Sequence, residues 1–311
     1  MHYIKRRLEN LYNKEPEWSR NPTSIQLDTH NYCNLSCIHC NVKAKGSYNL
    51  DRGVMSDETY IKVIKYFKDS KIDVAPFMNG EPLLEKRLNY FMDLAGEISR
   101  SKIVLDTNGT LYDERYKLLN KHIKTIRVTV NSYKPETYKL IHGKDEFDNV
   151  LKMLLWLNKR LDKKVNLSIN HIVNKYNVHE LDIFLHTFRD FNVNVFPVHT
   201  GLYQTQSNEV KAESLQEFFR KDKKGKITYP NQIKNKNFEP CQCWGTLGIG
   251  QGGEILQCVD YPSKYNYGNI HDEDILDAWD NRNKNRMNNP CCRNCSNKFK
   301  DYKEIFDRCL E

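Results

Sequence analysis

The sequence predicts an α/β fold, a partial (β/α)6 barrel followed by a small cysteine-rich module. Three observations carry this. Six short β-type runs between residues 24 and 198 alternate with stretches whose apolar residues recur every three or four positions, the pattern of parallel βα units. Chemically unusual residues fall directly after the strand runs, where the active sites of α/β barrels gather. Ten cysteines fall in two groups, 33–40 and 241–309, with none between them.

The first strand is expected at SIQLDTH (24–30), behind a charged, helical N-terminal extension over 1–22. Ser56, three residues before Thr59, marks a helix start, and Asp57 and Glu58 complement the helix dipole there. Tyr60, Val63, Ile64 and Phe67 supply that helix with an apolar face. The second strand is IDVAPFM (72–78), and Leu88, Phe91, Met92 and Ala95 form the stripe of the helix after it. Further strands are expected at 102–107, 125–130, 165–173 and 193–198, and further helices at 112–121, 147–161 and 178–190. The barrel therefore occupies 23–200, a basic linker with one helix near 211–221 occupies 201–237, and the cysteine-rich module occupies 238–311.

The chain has 39% hydrophobic and 28% charged residues, ordinary for a globular protein. Its first residues are too charged for a secretory signal, and no run of eighteen apolar residues occurs, so a cytoplasmic protein without membrane contact is expected. Of the net charge of +8, residues 211–237 contribute eight Lys/Arg against three acids. Such a run is either a solvated linker or a surface for an acidic partner. It lacks the interleaved aromatics of a nucleic-acid interface. In a reducing compartment, grouped cysteines read as metal ligands rather than disulfides.

The first group is Cys33-x3-Cys37-x2-Cys40, in the loop after the first strand. Three thiolates can hold three irons of a cube and leave the fourth open, the mark of a reactive rather than a structural site. A zinc site or three buried thiols are the plainer alternatives. After the second strand comes Asn79-Gly80-Glu81-Pro82, after the third Thr107-Asn108-Gly109, and after the fourth Asn131-Ser132. Read alone, Gly-Glu-Pro and Asn-Gly are ordinary turns.

Together, the cysteine triplet after strand one and Gly-Glu-Pro after strand two resemble the radical S-adenosylmethionine (SAM) superfamily, over roughly residues 22–200. The resemblance implies a TIM-like partial barrel and a SAM-binding 4Fe-4S cluster on Cys33, Cys37 and Cys40. It further implies reductive cleavage of SAM to a 5′-deoxyadenosyl radical that abstracts hydrogen from a substrate. His39 matches the aromatic position before the third cysteine, as an adenine neighbour. Asn79, Gly80 and Glu81 match the segment that holds the methionine amino group, where glycine permits close backbone approach. Asn108 and Asn131 fall where contacts to the SAM ribose or carboxylate are expected, with Asn174 a further candidate. Many relatives carry Asp-Gly where this chain has Asn131-Ser132.

The second group, Cys243-x9-Gly253-x4-Cys258 followed by Cys292-x2-Cys295, resembles the auxiliary-cluster modules called SPASM and twitch. Gly268-Asn269-Ile270 and Trp279 recur in the same context. Asp301 and Ile305 stand where the SPASM pattern continues with cysteine, which favours the twitch type and one auxiliary 4Fe-4S cluster. Its expected ligands are Cys243, Cys258, Cys292 and Cys295, with Cys241 and Cys291 as alternates. A structural zinc knuckle would also satisfy this spacing. Cys309 is either an inert thiol or a hydrogen donor to a substrate radical.

The function expected is a radical SAM oxidoreductase or isomerase served by a flavodoxin- or ferredoxin-type donor. Its substrate is a ribosomal peptide to be crosslinked, epimerised or oxidised, or the alcohol of a sugar or aminocyclitol. Only 23 residues precede the first strand, so peptide recognition is expected from a separate protein or from the barrel mouth and the basic 211–237 stretch. A non-catalytic zinc-binding protein is the reading from another class.

Overall fold

The computed structural model describes residues 22–40, 53–68, 70, 72–174, 176–197, 245–258 and 266–285. The expected N-terminal extension, the basic stretch 211–237 and the boundary near 237 lie outside the described residues.

Six strands run parallel: β1 (Ser24–Leu27), β2 (Asp73–Ala75), β3 (Lys102–Thr107), β4 (Ile123–Thr129), β5 (Asn166–Val173) and β6 (Asn192–Pro197). Each pairs with the next, giving the open partial barrel that the alternating pattern predicts. Three further strands extend the sheet beyond β1, namely β7 (Thr246–Ile249), β8 (Glu254–Leu256) and β9 (Asn266–Asn269). The order is β6-β5-β4-β3-β2-β1-β7-β8-β9. β7 runs parallel to β1 with Ser24 opposite Thr246, whereas β8 and β9 are antiparallel to their neighbours. The cysteine-rich module was not expected to contribute strands, because its runs are only three or four residues long and interrupted by glycine.

The helices are α1 (Asp57–Tyr66), α2 (Leu88–Ile98), α3 (Pro135–His142), α4 (Phe147–Arg160), α5 (Leu181–Thr187) and α6 (Ile275–Asn285). Ser56 caps α1 as its spacing predicts, its hydroxyl accepting the Thr59 N–H at 3.0 Å. Burial of Val150, Met153, Leu154 and Leu157 on α4 follows the helical period and packs it onto the sheet. The expected helix over 112–121 is instead a 3-10 helix over Tyr112–Leu119. Its only buried residue is Leu118, so it has no apolar stripe to hold an α-helix against the barrel. The expected helix over 178–190 divides into a 3-10 turn, Val178–Glu180, and α5. α3 was not expected. Pro135 opens it and Gly143 is its left-handed C-terminal cap (φ 77°).

The strands are two-faced. Ile103, Leu105, Ile126, Val128 and Ile169 pack with Phe91, Val150 and Leu154 in the core under the helices. The alternating residues line the interior face of the barrel, and Asp106, Arg127, Ser168, Asn170 and Asn194 make it largely polar. Asp106 pairs with Arg127 at 2.5 Å and accepts from Asn170 at 3.1 Å. Asn194 donates to Ser168 and to Asn170, both at 3.2 Å. Among the described residues, no helix is long and apolar enough to cross a membrane.

Candidate active site

The site lies where the parallel strands end. The loop carrying Cys33, Cys37 and Cys40 leaves β1 through buried Asp28, Thr29 and His30, and all three cysteines are half-buried. Donors surround the first two sulfurs. Cys33 Sγ accepts from the Leu35 N–H at 3.4 Å and from the Asn108 side-chain amide at 3.7 Å. Cys37 Sγ lies 3.2 Å from His142 Nδ1. The loop backbone rests on the end of α3, with Ser36 N–H bonded to His142 O (3.1 Å) and Ile38 N–H to Ile141 O (2.9 Å). Carbonyls that a helix end leaves open are thereby satisfied. Among the described residues, no three His, Cys, Asp or Glu side chains gather as they would around a single ion. A cube makes a different demand, because each thiolate ligates its own iron. Three soft donors on one loop, with N–H groups to disperse their charge, suit it.

The segment after β2 is pressed against that loop. Gly80 has φ 78°, and a Cβ there would lie 2.4 Å from the Tyr32 carbonyl oxygen. The next N–H, from Glu81, donates to that oxygen at 2.7 Å. Glu81 itself turns inward. Its carboxylate accepts from Thr107 Oγ1 (2.6 Å), Asn108 N–H (2.7 Å) and Leu83 N–H (3.1 Å), joining the loops after β2 and β3. Burial lifts its pKa to about 7 against the pull of these donors. Asn79 donates to Asp28 at 3.1 Å, and Gln251 of the β7–β8 turn reaches the same carboxylate at 3.3 Å. Burial lifts the Asp28 pKa to about 6, although both amides favour its ionised form.

Asn108, expected near the SAM ribose or carboxylate, has its amide engaged by Cys33 and by Asn34 Oδ1 at 2.9 Å. Its oxygen accepts from Thr110 N–H and Oγ1. Asn131 is fully buried, and its oxygen accepts the Ile172 N–H at 2.7 Å while Nδ2 has no partner. Asn174 Nδ2, on the neighbouring strand end, is likewise unpartnered. His171 donates Nδ1–H to Val130 O at 2.9 Å, burial holds its pKa down at about 4, and Nε2 is left as a bare lone pair. Buried polar atoms without partners are costly in a closed core and suited to a site that receives a polar ligand. Ser132 is occupied otherwise, bonded to Glu180 at 2.5 Å. His39 approaches the His142 ring edge-on at 6.2 Å, and its Nδ1 has no partner.

Of the expected auxiliary ligands, Cys258 is described and half-buried after β8. Cys241, Cys243, Cys291, Cys292, Cys295 and Cys309 lie outside the described residues. Around Cys258 the predicted motif packs together. Ile270 N–H bonds Gly253 O at 2.9 Å, Asn269 reaches Gly252 O at 3.0 Å, and Trp279 is fully buried. Arg282, also buried, donates Nε–H to Gln257 O at 2.9 Å beside Cys258. Sequence reasoning missed His142, Asp28, Glu180, Arg282 and Asn177, whose amide donates to Asn131 O at 2.7 Å. Their roles come from contacts with residues distant in the chain, which no spacing announces.

Comparison with known proteins agrees with this arrangement. A probable GTP 3′,8-cyclase of Saccharolobus islandicus is 25% identical over 224 residues, covering 70% of this chain and 69% of the relative. In structure, the chain resembles anSMEcpe with bound AdoMet (TM-score 0.69, 18% identity, 93% of this chain and 92% of the other). It also resembles Streptococcus suis SuiB bound to precursor peptide SuiA (TM-score 0.66, 15% identity, 89% and 70%). The profile of the Radical SAM superfamily matches residues 27–187, more than half the chain, from the end of β1 through α5. With its open parallel barrel and its cysteine loop at the strand ends, this chain belongs to the Radical SAM superfamily.

Proposed function

We propose that the protein is a radical SAM enzyme that modifies a peptide, with its SAM-binding 4Fe-4S cluster on Cys33, Cys37 and Cys40. When bound, the cluster and SAM supply a 5′-deoxyadenosyl radical able to take hydrogen from an unactivated carbon. The chain's own residues hold and shield that chemistry. Gly80 allows the backbone after β2 to close on the cysteine loop, and Glu81 and Asn108 fasten the adjoining loops to it. Asn131 and Asn174 offer unpartnered amide donors to a ligand at the ends of β4 and β5.

The interior face of the barrel carries the choice of substrate. Among the described residues, the guanidinium on this face, Arg127, is neutralised by Asp106, and around the pair lie the amides of Asn170 and Asn194 and the hydroxyl of Ser168. A charge-balanced, amide-rich wall matches the alternating donors and acceptors of a peptide. A nucleoside triphosphate asks for unpaired cations. Names of structural neighbours lend support, since SuiB is seen with a precursor peptide. The second reading, a purine nucleoside triphosphate, is favoured by the GTP 3′,8-cyclase relatives. We assign the auxiliary 4Fe-4S cluster to Cys243, Cys258, Cys292 and Cys295, where it would pass an electron from the substrate radical.

The test is anaerobic reconstitution of wild type and of a Cys33/Cys37/Cys40 triple alanine variant, followed by iron counting and assay of 5′-deoxyadenosine. About eight irons in wild type, about four in the variant, and 5′-deoxyadenosine from wild type alone are expected for two cubes. Bound zinc, or equal behaviour of the two proteins, would remove the assignment. Stimulation of 5′-deoxyadenosine release by GTP, with a cyclised product, would replace the peptide reading with the nucleotide one.

A further inference from the structure

The last turn of α3 does more than terminate a helix. His142 is fully buried, its ring stacked on Tyr138 with centroids 4.1 Å apart. Two main-chain bonds tie its turn to the cysteine loop, through Ser36 and Ile38. Gly143 completes the fit, because a Cβ there would lie 3.1 Å from the Ser36 carbonyl oxygen. The imidazole is thus held on both sides, and Nδ1 is aimed at Cys37 Sγ from 3.2 Å. A thiolate only accepts, so this nitrogen carries the proton. Nε2 has no partner, and a second proton there would be a buried donor with nothing to bond. The ring is therefore the neutral tautomer, with N–H toward sulfur.

We propose that His142 is an outer-sphere residue of the first cluster, donating Nδ1–H to the Cys37 thiolate and raising the cluster's reduction potential. The inference rests on the reading that Cys37 is a cluster ligand. A hydrogen bond to a ligating sulfur withdraws electron density and favours the reduced, more negative state, so it eases uptake of the electron. His142 acts through Cys37 and is a positioning and tuning residue, not a catalytic one.

The test follows the electron paramagnetic resonance signal that responds to SAM and is missing from the triple alanine variant. Its midpoint potential is measured by anaerobic dye-mediated titration in wild type, His142→Phe and His142→Asn. His142→Phe keeps a ring without a donor, and a tenfold loss in the one-electron equilibrium is expected, about 59 mV more negative, at unchanged iron content. His142→Asn retains a donor near the same place, and its potential should fall between the other two. Should His142→Phe fail to assemble, histidine labelled with nitrogen-15 decides the question. A nitrogen coupling at the reduced cluster is expected in wild type and lost in His142→Asn. Equal potentials in wild type and His142→Phe, a shift to more positive potential, or no histidine coupling would each overturn the role of His142. A missing SAM-responsive signal in wild type would instead overturn the cluster assignment beneath it.

Discussion

Two residues at the site carry their consequences in small details of geometry. Gly80 combines φ 78° with a backbone oxygen 2.4 Å from where a Cβ would stand. Gly80→Ala should therefore cost about 2 kcal/mol or more in urea denaturation of the apoprotein, and weaken iron retention after reconstitution. Asp28 affects the response to pH. Its pKa is raised from 3.8 to about 6, so the folded state holds the proton more tightly than the unfolded chain. The stability this provides is complete below pH 3.8 and is lost as pH climbs through 6. Asp28→Asn should flatten that decline and stabilise the apoprotein at pH 8 by about 1–3 kcal/mol, measured as a shift in urea midpoint across the pH series. A variant that keeps the wild-type slope would show that Asp28 is not its source. Cys33, Cys37, Cys40 and Gly80 were legible because short-range spacing encodes them. Asp28 and His142 were not, because each matters through partners more than fifty residues away, Asn79 and Gln251 for Asp28 and Cys37 for His142.

At the level of elements, hydrophobic period reads the barrel well. β3 spans the expected residues and α4 ends one residue short of them. α3 escaped notice because it is only eight residues long, Pro135 to His142, too few for periodicity to register. It is nevertheless the support on which the cysteine loop sits. Gly143 holds φ 77° at the end of that helix, and its N–H bonds Lys139 O at 2.8 Å. Gly143→Ala is expected to cost about 1–2 kcal/mol from the left-handed backbone alone. It should also loosen the loop, seen as faster loss of iron to a chelator, while Leu154→Ala in α4 destabilises the protein by about 2–5 kcal/mol without that preferential effect.

On the scale of the whole molecule, β1 is an interior strand, flanked by β2 on one side and β7 on the other. One sheet runs through the residues expected as the barrel and the described strands of the expected cysteine-rich module. Side-chain contacts reinforce it, among them Thr59 with His271 at 3.0 Å, Asp28 with Gln251 at 3.3 Å and Tyr66 with Asp274 at 2.5 Å. A chain ending after Pro197 would leave β1 with an open edge, and it should elute as larger species than the full chain in size-exclusion chromatography. The pairing of Ser24 with Thr246 joins residues 222 positions apart. During synthesis at about 5–20 residues per second, the strand bearing the cysteine loop waits on the order of 10–40 s for its second neighbour. Iron delivered before that pairing meets a loop whose strand is half-supported, so durable loading of the cluster belongs after Thr246–Ile249 has joined the sheet.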